Sequence, residues 1–298
     1  MALNTLEFAT KFAGELDKMI TQKAVTGFMA DNVLRSKFVG AKTVIIPDVD
    51  FVGLADYDRD NGFTKGSMTV AHTPYTLSQD RARSLQIDRE DMDETGVANL
   101  AGQVMGEYVR TKVIPEMDAY AISKLAQIAI GKSNTKEISD MTKVYALFNE
   151  LANGIYAKAG YDSELVAIID PAVYAAFMNS TELQRMITVS DFKQGEVNLK
   201  VKSINGIALI PATEDRMKSE YTDDAENGGI KPTDGAKGIG MLILPKKAAH
   251  LVKKSEKIRV FEPDTNQVAD AYKFDYRVYY DVFVKKSELE HISAALHN

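Results

Sequence analysis

The period of apolar and polar positions changes several times along the chain, and each change marks a new segment. Leu6, Phe8, Ala9, Phe12, Leu16, Met19 and Ile20 recur at three- to four-residue spacing, which predicts a short amphipathic helix. The run VTGFMADNVLRSKFVG that follows has no period and reads as an irregular arm. Next come TVIIPDVDFVGLADYD, RDNGFTKG and MTVAHTPYTLSQDRARSLQID, two strand-like arms about an Asn61-Gly62 turn. The arms exceed the usual ~5–6 residues per strand, and Pro47 and Pro74 within them fit an exposed two-stranded ribbon. Neither side of the second arm looks like a core. Tyr75, Leu77, Gln79, Arg81, Arg83, Leu85 and Ile87 fall on one side. Thr76, Ser78, Asp80, Ala82, Ser84, Gln86 and Asp88 fall on the other. A lone hairpin is marginal in water, so this ribbon is expected to lie on another surface.

From Asp91 the period becomes helical. Asp91 and Glu94 offer a capping-box-like start. Val97, Leu100, Ala101, Val104, Tyr108, Val113, Met117, Tyr120, Ala121, Leu125 and Ile128 form a buried stripe. Pro115 is expected to kink this long helix near its middle. After residue 140 the pattern is α/β. MTKVYALFNELANGIYAKAG predicts a helix, ELVAIID a short apolar strand, and Asp170-Pro171 an N-cap and first turn for AVYAAFMNS. INGIALIPA and GIGMLILP read as strands around an exposed polar loop, SEYTDDAENGGIKPTDGAKG. The close is EKIRVFEP, a turn at PDTNQ, and DAYKFDYRVYYDVFVKK. In that last run Tyr272, Phe274, Tyr276, Val278, Tyr280, Val282 and Val284 share one face of a long strand.

Composition narrows the classes. The chain has 298 residues, 45% apolar and 26% charged, which is ordinary for a globular protein with a sizeable core. No apolar run approaches the ~18–20 residues needed to cross a bilayer. MALNTLEFATKFAGELDKMI mixes charged and apolar residues too closely for a signal peptide, so a soluble intracellular protein is expected. With no cysteine, disulfides, thiolate metal sites and cysteine nucleophiles are excluded. Of the four histidines (His72, His250, His291 and His297), the last two lie where chain ends usually fray. A net charge of −6 argues against a dedicated nucleic-acid reader, but not against a protein that encloses nucleic acid.

Motif tests yield no chemistry. IGKSNT lacks the leading glycine of a phosphate loop, since Ala126 stands there, and it ends a helix, with Gly131 as a C-cap candidate. GAKGIG leads into a strand, where a dinucleotide fingerprint opens a helix. DYDRDNG alternates Asp56, Asp58 and Asp60 as a calcium loop does, but Asn61 replaces the required glycine and Ser67 the final Glu. His72 has no second histidine at ligand spacing, and His250 sits among lysines. No catalytic, cofactor-binding or metal-ligating residue is therefore nominated, and no cofactor is expected.

An arm, a long polar ribbon, a long kinked helix and an α/β lobe, in that order, resemble the major capsid proteins of tailed bacteriophages, the Hong Kong 97-type fold. The residues that carry the likeness are MLILPKKAAHLVKKSEKIRVFEPDTNQVADAYKFDYRVYYDVFVKK (241–286) and SQDRARSLQIDREDMDET (78–95). The second stretch is similar to the family's junction of ribbon and spine helix. The resemblance implies an α+β fold with an N-arm (1–40), an extended β-ribbon loop (41–90), a peripheral domain (91–139 with 251–286), an axial α/β domain (140–250) and a C-terminal tail (287–298). It implies a coat protein that assembles with itself into hexamers and pentamers of an icosahedral head, enclosing double-stranded DNA contacted non-specifically. A portal at one vertex, a separate scaffolding protein and an optional decoration protein would be its partners, and the virion its location. Unlike the prototype, which carries a long cleaved N-terminal segment, this chain reaches the ribbon within about forty residues, so no maturation cleavage is expected.

On this resemblance Asp80, Arg81, Arg83 and Asp88 are expected to meet complementary charges on a neighbour, fixing register between subunits. Asp58 and Arg59 at the ribbon tip join them as contact candidates. Lys65 and Asn266 are candidates for the prototype's lysine–asparagine cross-link. Two alternatives stand beside the capsid: an encapsulin-type shell around a cargo enzyme, and a soluble α/β enzyme with a dimerisation ribbon.

Overall fold

The computed structural model describes residues 23–32, 37–39, 42–60, 62–90, 100–179, 188–194 and 197–297. The expected helix over residues 6–20 and the Asp91–Glu94 cap lie outside the described residues. A 3-10 turn (Gly27–Asn32) precedes β1 (Lys37–Val39), β2 (Thr43–Phe51), β3 (Met68–Thr76) and β4 (Gln79–Asp88). Then α1 (Leu100–Tyr108), a π-helical turn (Val109–Val113) and α2 (Ile114–Gly131) follow one another without leaving helical geometry. Next are β5 (Thr135–Glu137), α3 (Val144–Ala159), β6 (Leu165–Ile169), α4 (Pro171–Asn179), β7 (Thr188–Gln194), β8 (Val197–Ile204) and β9 (Ile207–Pro211). A short hairpin, β10 (Tyr221–Asp223) and β11 (Ile230–Pro232), precedes β12 (Gly238–Pro245), β13 (Ala249–Phe261), β14 (Ala271–Val284) and β15 (Ser293–His297).

The ribbon is present, but it is shorter than the sequence suggests. β2 and β3 pair antiparallel from Thr43↔Thr76 to Phe51↔Met68. The polar run 68–88 is not one strand. It breaks at Leu77–Ser78, and β4 leaves the ribbon to pair with β14, from Gln79↔Tyr280 to Asp88↔Ala271. Half of the stretch that looked unburied is therefore the edge of a three-stranded sheet, β13-β14-β4, within its own chain.

At Pro115, where the sequence predicts a kink, the helix widens over the preceding turn. Proline has no N–H and its ring crowds the carbonyl one turn back. The turn before it adopts π geometry, with the Ile114 N–H donating to the Val109 carbonyl. The helix ends at Gly131, and Ser133 (φ 57°) takes the left-handed position beyond it.

A seven-stranded mixed sheet, ordered β5-β15-β12-β6-β9-β8-β7, forms the other layer. β6 and β12 are apolar at nearly every position because both faces are covered. Val166, Ile168, Leu242 and Leu244 join the core shared with α2 and β14. Leu165, Ala167, Ile169, Met241 and Ile243 join a second core with α3 and α4, where Phe148 and Phe177 meet edge to face. The predicted cap forms: Asp170 Oδ1 accepts the Val173 N–H at 3.1 Å as α4 begins. The aromatic face of β14 also forms as expected, with Phe274, Tyr276, Val278, Tyr280, Val282 and Val284 buried against the helix.

Two further expectations need correction. The expected tail does not trail away over its described residues, 287–297: β15 lies between β12 and β5, with Ala294 and Ala295 fully buried. His297 ends this strand 3.3 Å from Asp170 Oδ2, and Gly238 must lack a side chain because a Cβ would stand 2.3 Å from the His297 ring. The polar insert is likewise no free loop. Its start is pinned where the Ser219 carbonyl accepts from Ser123 Oγ and Gln127 Nε2, and its middle folds as the β10–β11 hairpin.

Candidate assembly site

The outer end of the ribbon is apolar and uncovered. Phe51, Leu54 and Phe63 are 70%, 108% and 89% exposed, and Val52, Tyr57, Met68 and Val70 are exposed beside them. A monomer rarely leaves so many large apolar groups together in water unless another surface covers them. The tip is locally ordered even so. Gly62 (φ 79°) makes the reversal, its N–H donates to the Asp58 carbonyl, and the Asp60 N–H donates to Asp58 Oδ1 at 2.8 Å. Tyr57 and Phe63 meet edge to face at 5.2 Å. Arg59 and Lys65 make no hydrogen bond or ion pair among the described residues.

The inner end is the opposite. Leu77 is buried with Val44, Val252, Tyr279 and Phe283, and its N–H donates to the Lys42 carbonyl at 2.8 Å. At Ser78 the chain turns from ribbon to sheet, and both its N–H and its Oγ donate to Asp281 Oδ2, at 3.0 and 2.9 Å. Asp281 Oδ1 accepts from Tyr120 Oη at 2.9 Å and from Lys124 Nζ, both on α2.

Two of the charges on β4, Asp80 and Arg81, are paired inside the subunit. Arg81 donates through Nε to Glu116 of α2 and through Nη1 to Asp223, each at 2.6 Å, and through Nη2 to the Gly229 carbonyl at 3.0 Å. One guanidinium thus ties β4, the helix and the β10–β11 hairpin around a cleft of about 350 Å³. Arg277 grips Asp80 with two hydrogen bonds, at 2.8 and 2.6 Å, and holds that carboxyl below its usual pKa. For Asp80 and Arg81, the partners expected on a neighbour are therefore found in the same chain. Arg83 lies against Gly228, where a Cβ would approach its Nη1 to 2.8 Å. Asp88 Oδ1 accepts the Glu90 N–H at 2.9 Å. The Asn266 carboxamide closes its own loop, donating to the Ala271 carbonyl at 2.8 Å and accepting the Val268 N–H.

No family model and no curated protein matches the sequence. Solved structures do match. The capsid structure of the cyanophage P-SCSP1u superposes with a TM-score of 0.59 at 13% identity, over 88% of this chain and 85% of that one. The mature capsid of bacteriophage PhiM1 gives 0.56 at 12%, over 87% and 82%. The chain has a phage-capsid fold. A virus-like particle from Pyrococcus furiosus shares it, with a TM-score of 0.54 at 10% identity over 98% of this chain and 100% of that one.

Within the capsid fold, the sequence pointed to the ribbon but not to what anchors it. Local pattern does not pair Ser78, Tyr120 or Lys124 with Asp281, nor Arg81 with Glu116 and Asp223, nor Asp80 with Arg277. One signal was available. Asp281 interrupts the apolar run YYDVFV, and a carboxylate in such a strand has to be paired if it is buried.

Proposed function

We propose that this chain is the major capsid protein of a tailed bacteriophage, self-assembling into an icosahedral head that encloses double-stranded DNA. The observation that carries the reading is a phage-capsid fold whose ribbon presents Phe51, Leu54 and Phe63 to solvent at its far end. Such a ribbon needs a neighbour, and a heterologous contact repeated around a closed symmetry builds a shell. Residues 41–76 would be the extended loop, with β4, α1, α2, β13 and β14 as the peripheral domain. Residues 140–250 would form the axial domain around the five- and sixfold axes. A scaffolding protein, a portal at one vertex and an optional decoration protein complete the assembly, which takes place in the host cytoplasm and ends in the virion. The chain's net charge of −6 suits a container that must let packaged DNA slide. Asp58, Arg59 and Lys65 at the tip, and Arg83 and Asp88 on β4, remain our contact candidates. The Asn266 carboxamide is committed to its own loop, so the contact at Lys65 is taken as non-covalent.

The test is electron microscopy of the purified protein, alone and with its scaffold, beside a variant shortened between residues 56 and 68. Closed shells from the wild type and none from the folded variant support the reading, while small uniform oligomers under both conditions overturn it. The full-length match to a virus-like particle favours a shell around cargo as the second reading. Particles that form without a scaffold and hold a second, enzymatic protein and no nucleic acid would decide for it.

A further inference from the structure

The ribbon is held at one end and free at the other. We propose that Asp281, with Ser78 and Lys124, is a latch that sets the direction in which the ribbon leaves the body, so that the subunit presents it already aimed. This rests on the assembly reading above.

Asp281 is 1% exposed and lies on β14 between Tyr279 and Phe283, whose rings pack with Leu77. It accepts five hydrogen bonds, from Ser78 N and Oγ, Tyr120 Oη, Lys124 Nζ and Val282 N. An apolar residue of similar size would hold a static core at least as well, because a buried ion pair loses solvation as it gains attraction. What a carboxylate adds is direction. It places the Ser78 backbone at a fixed point relative to α2, at the junction between β3 and β4. Neighbouring contacts act alike: Tyr75 Oη donates to the Val284 carbonyl and Tyr279 Oη to the Leu77 carbonyl, each at 3.3 Å. Beyond this root, Phe51–Asp60 are exposed throughout.

The length of the ribbon makes the root angle matter. Arms of nine residues reach about 30 Å, so an error of about 10° at the root moves the tip by about 5 Å. A ribbon that has to find its direction on binding loses that entropy at every contact in the shell.

The chain has no cysteine, so spin labels can be placed at will, on Thr69→Cys of the ribbon and Lys132→Cys past the end of α2. Electron–electron double resonance on unassembled subunits should give one narrow distance distribution for the wild type. Ser78→Ala and Asp281→Asn should make it roughly twofold wider. The Ser78→Ala subunit, which keeps its backbone N–H bond to Asp281, should stay folded with its melting temperature lowered by only a few degrees, and should close shells about tenfold more slowly. Ser78→Thr, which retains the hydroxyl, should restore both readouts. An unchanged distribution in both variants overturns the latch, and a wide one with unchanged shell closure overturns its role in assembly. Absence of shells from the wild type would instead refute the assembly reading, and the distance measurement would still decide the latch.

Discussion

Removing the apolar groups at the ribbon tip should raise the concentration needed for assembly without touching the fold. Burying a Phe or Leu side chain that starts in water yields ~1.5–3 kcal/mol. Phe51, Leu54 and Phe63 together would therefore contribute about 5–9 kcal/mol to one ribbon contact. Association itself costs about 4–15 kcal/mol, so a single contact is weak and the shell depends on many of them. With one ribbon given and one received per subunit, Leu54→Ser or Phe63→Ser removes one such increment for each subunit added. A loss of ~1.5–3 kcal/mol should raise the threshold concentration roughly 10–150-fold. Light scattering against subunit concentration, with micrographs at each plateau, measures that threshold, and thermal melting reports the fold. Both side chains are almost wholly in water in the free subunit, so the melting temperature should stay put. An unchanged threshold would falsify the role given to the tip.

Three further outcomes follow from the body. Asp118 is fully buried and accepts from Val25 N, Thr26 N, Thr26 Oγ1 and Arg216 Nη1 at 2.6–3.0 Å, so Asp118→Asn should cost about 3–5 kcal/mol and speed hydrogen exchange over residues 24–32. Burial pushes the Asp118 carboxyl above its usual value, against the pull of Thr26 and Arg216. The folded state therefore binds the proton more tightly. Relative to Asp118→Asn, the wild type should gain stability as the pH falls through the raised folded value towards the ordinary carboxylate value, and the opposite slope in paired urea titrations would sink the argument. Arg81→Met should cost about 1–3 kcal/mol, mostly through the half-buried Glu116 pair and the Gly229 hydrogen bond, because Asp223 is 77% exposed. Its signature is faster exchange over residues 221–232, and unchanged exchange there would contradict the three-way tie. Deleting residues 293–297 removes a strand from inside the large sheet and should abolish cooperative unfolding in calorimetry, whereas a frayed tail would be lost without effect.

Those tests fall where the sequence was hardest to read. β6, β12 and the even-numbered face of β14 were legible because their periodicity comes from burial that no distant residue alters. Asp170 was legible as a cap because the rule is local. The break at Leu77–Ser78 was not, since Leu77 continues the alternation of Tyr75 and nothing in the period marks a change of partner. That choice is made by β14, about two hundred residues away, which offers backbone to Gln79–Asp88 and a carboxylate to Ser78. β15 was hidden for a different reason. SAALH has small side chains and weak strand propensity, and Ala294 and Ala295 fit because helices close both faces of the sheet above and below them.

Arg81 is the sharpest case. Alone in sequence it marks its side of β4 as wet, and Leu85 and Ile87 on the same side look like exceptions. With Glu116 and Asp223 in place, the same side carries a neutralised guanidinium at one end and two half-buried apolar groups at the other, with only Arg83 between them exposed. A polar pattern measures preference for water only until a partner of opposite charge is supplied, and here the fold supplies one from α2. For Asp281 the logic runs the other way. A single acid inside YYDVFV cannot be buried without donors, so its presence in the sequence already demanded a partner, and only the fold could name Ser78, Tyr120 and Lys124.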